Sequence, residues 1–256
     1  MSDPVVIYGF TSMEGVFDIS PFVHKLELYL VLGGVPYEKR VGDARKAPRG
    51  KLPYIEHDGQ TIPDSQVSIE YLRQRGLVEH DDWLDPDQRA EAYALRSMLE
   101  VDLYFVLVYM RWKLPKGWAV YQHTMHKLLR EMEVPGLLQN LVLRKARSNT
   151  LAHLSAQGTG RRAEAEIAQR MRDILTALDI FRAARQDDGP WWFGPKPSGF
   201  DTVVHAFFAG LYRPNVPLAV SPEEFRAWPA LLEHMNHVDS TLMELGVDLA
   251  APPDRR

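Results

Sequence analysis

The chain has 256 residues, 45% of them hydrophobic and 25% charged, with a formal net charge of −4 and a sequence pI of about 6.1. That is the composition of a soluble globular chain of one large domain or two modest ones, and its overall charge argues against a nucleic-acid or acidic-membrane surface. It has no cysteine, which excludes disulfides, cysteine-ligated zinc, Cys-x-x-Cys redox chemistry and a protein thiol nucleophile. If the protein does sulfur chemistry, a ligand must bring the sulfur. No run approaches the ~18 apolar residues of a membrane span, and Met1-Ser2-Asp3-Pro4 lacks the basic and apolar regions of a signal peptide. The expectation is a cytoplasmic protein with no membrane span.

Val5 to Phe10 is β-branched and aromatic and predicts a buried strand. Thr11 to Ile19 is a loop with two acids and a glycine. Ser20-Pro21 then predicts a helix start. Ser20 suits the N-cap, where its hydroxyl can accept from an orphaned backbone N–H, and Pro21 suits the first helical position, where no N–H is needed. Phe22, Leu26, Leu28, Leu30 and Val31 supply apolar bulk, and Gly33-Gly34 is a C-terminal stop. Val35 to Val41 predicts a second strand at a sheet edge, because Pro36 cannot donate to a ladder. A basic loop, Arg45 to Lys51, leads into a hairpin over Lys51 to Ile62. Asp58-Gly59 is its turn and Pro53 opens its first strand. Asp64-Ser65 caps another helix, with Val67, Ile69, Tyr71 and Leu72 as packing residues. The order over residues 1–77 is β-α-β-β-β-α, which predicts a mixed sheet covered by helices.

Gly76 to Pro86 is acidic and turn-rich, and a linker is placed at 78–87. A long helix is predicted from Gln88 to Lys113. Its apolar face runs through Leu95, Met98, Leu99, Val101, Leu103, Phe105, Val106 and Tyr109, and Pro115 and Gly117 end it. Helical patterns recur at 120–132, 136–156, 161–186, 199–212 and 222–245, so residues 88–250 read as all-helical. Ala250 to Arg256 reads as a polar tail. His123-x-x-His126 and His234-x-x-His237 have no adjacent third ligand and read as surface histidines, so no metal is expected. Gly158-Thr159-Gly160 lacks the strand and third glycine of a dinucleotide loop.

Four short segments carry a resemblance: Ser20-Pro21-Phe22, Leu52-Pro53-Tyr54, Asp64-Ser65 and Ser198-Gly199-Phe200-Asp201. In that order, on a β-α-β-β-β-α unit followed by helices, they resemble the glutathione S-transferase superfamily over nearly the whole chain. The resemblance implies an α/β N-terminal thioredoxin-like domain plus an all-α C-terminal domain, a cis peptide before Pro53, an N-capping box at Ser198 and Asp201, and a homodimer. Within the superfamily the chain is more similar to the metaxin and failed-axon-connections branch. The signs are the long loop before Ser20, the run Lys51 to Ile55 with Asp58-Gly59, Tyr109-Met110-Arg111-Trp112, and Gln157 to Arg161. It departs from that branch at Val23, where a cysteine is common.

What the resemblance implies for function is a glutathione site. A thiol with a pKa near ~8.5 is mostly protonated at neutral pH, and a hydroxyl donor at a helix N-terminus would favour its thiolate. Ser20 would be that donor, with Tyr8 at the end of the first strand as the alternative. Leu52 and Pro53 would pair with glutathione as with a short strand. Asp64 would meet the glutamyl α-ammonium and Ser65 its carboxylate, while Lys51 and Arg49 could reach a carboxylate if their loop folds over. Tyr104, Tyr109, Trp112 and Trp118 could line a pocket for a small hydrophobic co-substrate. The reading is a glutathione transferase-like enzyme that activates the thiol for attack on an electrophile. Its alternative is a non-catalytic binding or adaptor module on the same fold.

Overall fold

The computed structural model describes residues 4–247 and Leu249. Its first part is a four-stranded sheet in the order β2-β1-β3-β4. β1 (Val5–Gly9) is followed by α1 (Pro21–Leu32), which crosses over to β2 (Tyr37–Val41), parallel to β1. β2 is the edge strand that Pro36 called for. β3 (Tyr54–His57) runs antiparallel to β1, and β4 (Gln60–Pro63) antiparallel to β3. Asp58 and Gly59 have φ of 47° and 69°, the left-handed pair whose twist matches a two-residue hairpin. α2 (Ser65–Gln74) completes a thioredoxin-like unit.

α1 and α2 cover one face of the sheet. Val5, Ile7, Ile55 and Ile62 pack there against Val23, Leu26, Leu30, Ile69 and Leu72. The opposite face carries Tyr8 and Tyr54, which pack with Ala47 and Leu52 from the irregular segment between β2 and β3. Alternation along β1 therefore sends Ile7 and Tyr8 to different sides.

The rest is an all-α bundle. α3 (Pro86–Ser97) starts at Asp85, whose carboxylate accepts the Gln88 N–H while Gln88 Oε1 accepts the Asp85 N–H, a reciprocal capping box. The predicted helix over 88–113 is present but is not uniformly α. Two π-helical stretches, Met98–Leu103 and Tyr109–Lys113, flank α4 (Tyr104–Val108). Leu95, Leu99, Leu103, Val106 and Met110 form the buried stripe, and Val101, expected on it, is 52% exposed. It lies midway between Leu99 and Leu103, which places it on the outer face.

The helix ends at Lys113 as expected, with Leu114 extended before Pro115, but Pro115 also begins the next one. This is α5 (Pro115–Glu131), since a first-turn proline needs no N–H partner. Gly117 is required because a Cβ there would run into the Met110 carbonyl. α5 turns back into α6 (Gly136–Gln157), followed by α7 (Glu164–Ala183) and α8 (Gly199–Tyr212). The pattern at 222–245 divides at Trp228 into a 3₁₀ turn, Pro222–Ala227, and α9 (Pro229–Glu244), again opened by a first-turn proline. α8 is buried from Gly199 to Leu211 and is the axis of the bundle. Among the described residues no helix is long and apolar enough to cross a membrane. The tail from Ala250 lies outside the described residues.

Candidate functional site

The site is built at the C-terminal end of β1. The pairing of Tyr8 with Tyr54 brings the start of β3, and so Pro53, to that end. The Leu52–Pro53 peptide is cis, and the Pro53 carbonyl accepts the Asp64 N–H at 3.1 Å. On the other side, Asp18 joins the strand end to the helix start. Its Oδ2 accepts the Phe10 N–H and its Oδ1 the Ser20 N–H, each at 2.8 Å. The Asp18 carboxylate thus ties the end of β1 to the start of α1, and the Pro53 carbonyl ties the start of β3 to Asp64 at the start of α2.

Ser20 is the N-cap of α1 by position, yet its hydroxyl makes no capping bond. The capping expectation is corrected in that respect. Asp18 takes the Ser20 N–H instead, an Asx-type i to i+2 contact. The half-buried Ser20 hydroxyl is left for another partner. Asp64 caps α2, accepting the Gln66 and Val67 N–H groups at 2.8 and 3.3 Å. It does so at φ 74° and ψ 140°, a conformation costly for a residue with a Cβ. The Pro53 carbonyl on its N–H and the Ser68 hydroxyl on its carbonyl hold it there. Such strain is characteristic of positions where a backbone must present groups to a ligand. Ser65 is buried beside it, and Leu52 is buried against Ala47 and Tyr54.

Lys51 and Arg49 are exposed. The Tyr8 hydroxyl donates to Glu56 Oε2 at 2.9 Å and accepts from Arg40 at 3.3 Å, with its ring stacked on Tyr54. Of the two candidate hydroxyls, that of Tyr8 is engaged in its own polar contacts, whereas that of Ser20 makes no capping bond. Of the four aromatics proposed to line a co-substrate pocket, Trp112 and Trp118 stack on each other at 5.3 Å, Tyr104 packs edge-on against Phe22, and Tyr109 is buried in the bundle core. Tyr104, Tyr109 and Trp112 serve as packing, while Trp118 also borders a cleft with Gln122, His126 and Arg147.

α1 also carries polar side chains that sequence reasoning passed over. It lies between the sheet and α8, so His24, Lys25 and Glu27 are all buried, and each has a partner. Lys25 pairs with Glu100 and reaches Gln66 Oε1 at 3.4 Å, tying α1 to α2 behind Asp64. Burial pulls the Lys25 ammonium down from its usual range, against the opposing pull of Glu100. Glu27 and Asp18 share Lys39, at 2.7 and 2.9 Å. Burial raises both acids, Glu27 to about 7, with Lys39 opposing the rise. One ammonium facing two carboxyl groups is neutral when one carboxyl keeps its proton.

The histidine bonds have a defined direction. The Phe17 N–H donates to His24 Nδ1 at 3.1 Å, so His24 carries its proton on Nε2 and donates to His205 Nδ1 at 3.0 Å. His205 Nε2–H then donates to Asp239 at 3.0 Å, and Arg213 closes the row on the same carboxylate. Burial holds both imidazoles well below their usual pKa, which keeps them neutral in these tautomers. Arg111 adds a further brace, donating to the carbonyls of Ile19 and Gly210. The loop before Ser20 is therefore anchored at Phe17, Asp18 and Ile19.

The box at Ser198 is formed. Asp201 Oδ2 accepts both the Ser198 N–H and its hydroxyl, and Oδ1 accepts the Trp192 N–H and His234 Nε2–H. His234, expected at the surface, is 1% exposed, because its helix face turns toward this buried carboxylate rather than toward solvent.

The family model for the glutathione S-transferase N-terminal domain matches residues 21–117. The isoprene-epoxide glutathione S-transferase of Rhodococcus sp. (strain AD45) is 31% identical over 86% of this chain and 89% of its own. The chain belongs to the glutathione S-transferase superfamily. Failed axon connections of Drosophila melanogaster is 28% identical over 92% of this chain and 57% of its own length, in agreement with the branch the sequence resembled. The fold of this superfamily member matches that of a glutathione S-transferase of Ceriporiopsis subvermispora, solved in complex with glutathione. The TM-score is 0.59 at 15% identity, over 98% of this chain and all of the other.

Proposed function

We propose that the protein is a glutathione-binding module of the transferase fold, with the tripeptide laid along Leu52-Pro53 and its glutamyl end at Asp64-Ser65. The observation that carries this reading is the strained Asp64, held at φ 74° by the Pro53 carbonyl and the Ser68 hydroxyl. In this arrangement the Asp64 carboxylate meets the α-ammonium, the Ser65 hydroxyl and backbone N–H meet the carboxylate, and the unused Ser20 hydroxyl meets the sulfur. Exposed Lys51 stands on the neighbouring segment as a second carboxylate partner. The test is calorimetric titration with glutathione. Asp64→Asn keeps a capping oxygen and removes the charge, so it should weaken binding by ~10–100-fold, the loss of a charge-assisted bond of ~1.5–3 kcal/mol, with the melting temperature nearly unchanged. Equal affinity in Asp64→Asn and the starting protein counts against the placement.

A second reading is thiol transfer to a small hydrophobic electrophile such as an epoxide, favoured by the transferase relative at 31% identity. In that case the Ser20 O–H donates to the glutathione thiolate, aided by the helix N-terminus. Ser20→Ala should then leave binding nearly intact and raise the bound thiol pKa by ~one to two units. Thiolate absorbance against pH reads this. An unshifted thiol pKa in the starting protein leaves the binding module alone standing. A shift that survives in Ser20→Ala and vanishes in Tyr8→Phe gives the role to Tyr8.

The same reading places the protein in the cytoplasm as a homodimer, since symmetric pairs are the commonest oligomers. Light scattering should return twice the chain mass of 29.3 kDa; the chain mass alone at micromolar concentration removes the dimer.

A further inference from the structure

The hairpin of α5 and α6 combines a basic excess with exposed apolar side chains on one helix face. Between Pro115 and Gln157 there are six basic side chains and two acidic ones, a net +4 within a chain of −4. The overall charge that argued against an acidic surface conceals this local excess. At the start of α6, Leu137, Leu138, Leu141 and Val142 are 99%, 48%, 58% and 40% exposed. Their spacing, with Lys145, puts them on one face of the helix, opposite the buried Leu143. Arg130, Arg144 and Lys145 are exposed around that face, and among the described residues none of the three forms an ion pair.

We propose that this hairpin tip docks on a lipid surface bearing anionic headgroups, with the leucines entering the interface and the basic side chains meeting the headgroups. An exposed apolar helical face bordered by basic residues is the arrangement that binds in the plane of a bilayer surface without crossing it. A second copy of the chain fits less well. A stable protein interface takes ~800 Å² from each partner, and four side chains beside a helix start fall short of that. Glu131 and Glu133 stand near the turn, and they weaken the local field without reversing it.

The experiment is flotation of the full chain with vesicles of phosphatidylcholine alone or with added phosphatidylserine. The chain should partition at least ~tenfold more onto the anionic vesicles, and added salt should reduce the difference. Leu137→Ser with Leu141→Ser should lower that partition by ~tenfold or more. Arg144→Glu with Lys145→Glu should do the same. All four positions are exposed, so both variants should melt as the starting protein does and bind glutathione equally, which separates this proposal from that of the glutathione site. Equal recovery on both vesicle types, or unchanged partition of the serine variant, overturns the proposal. So does a dimer that the serine variant abolishes while no vesicle binding is seen, an outcome that assigns the face to a second copy.

Discussion

Asp201→Ala is expected to lower folding stability by ~3–5 kcal/mol, the range for breaking a buried charged network by removing one partner. Asp201 is fully buried and accepts from the Trp192 N–H, the Ser198 N–H and hydroxyl, and His234. The variant leaves each of those donors without an acceptor, inside a core that water does not reach. Burial alone would raise the Asp201 carboxyl, but His234, Ser198 and the Trp192 N–H outweigh it and hold it below its usual range. Its contribution is therefore present above the unfolded carboxyl pKa and fades as pH falls through the depressed folded value. Ser198→Ala removes one donor and should cost only ~0.5–2 kcal/mol. Denaturant midpoints at neutral pH measure both. An unchanged midpoint for Asp201→Ala would mean that the box and its histidine contribute nothing to folding.

Lys39→Met should cost a similar ~3–5 kcal/mol near neutral pH, because Asp18 and Glu27 then face each other without a cation. Both carboxyl groups are almost wholly buried. The pH profile separates this from a packing loss. In the starting protein the folded pKa of Glu27 is raised from 4.5 to about 7, so the folded state holds a proton that the unfolded chain has released. Stability from that group is complete below the unfolded value and declines as pH rises through about 7. Without Lys39 both acids lose the cation that opposed their rise, so the variant's stability should fall further with rising pH. Its deficit should be smallest in acid, where both carboxyl groups are protonated in either state. A deficit of the same size at pH ~4 and pH ~8 would show that the cluster does not act through its charge.

The fold was legible because its signals are local. The Asp58-Gly59 turn, the Gly33-Gly34 stop and the prolines at strand and helix starts act through the conformations of single residues. Where one helix stops was easier to read than where the next one starts. Pro115 and Pro229 open helices because they fall in a first turn, and only the chain's path shows that. Ser20, Pro53, Asp64 and Ser65 could be proposed as a set because their order carries a resemblance. The polar residues of α1 could not be assigned, because their partners are distant: His24 on His205, Lys25 on Glu100, Glu27 on Lys39. A signal was nevertheless present. Three ionisable residues within Phe22-Val23-His24-Lys25-Leu26-Glu27-Leu28 sit in a segment too apolar to face water on any side, and buried polar groups need partners. Asp18 also signalled its role, two residues before Ser20, where an aspartate bonds the backbone ahead of it.

The measurement that bears most directly on the account is a crystal structure of the protein soaked with glutathione. The account predicts the cysteinyl backbone paired with Leu52, the glutamyl α-ammonium on Asp64, its carboxylate on Ser65, and the sulfur within hydrogen-bond distance of the Ser20 hydroxyl. Glutathione bound away from Pro53 and Asp64, or absent at saturating concentration, would contradict it.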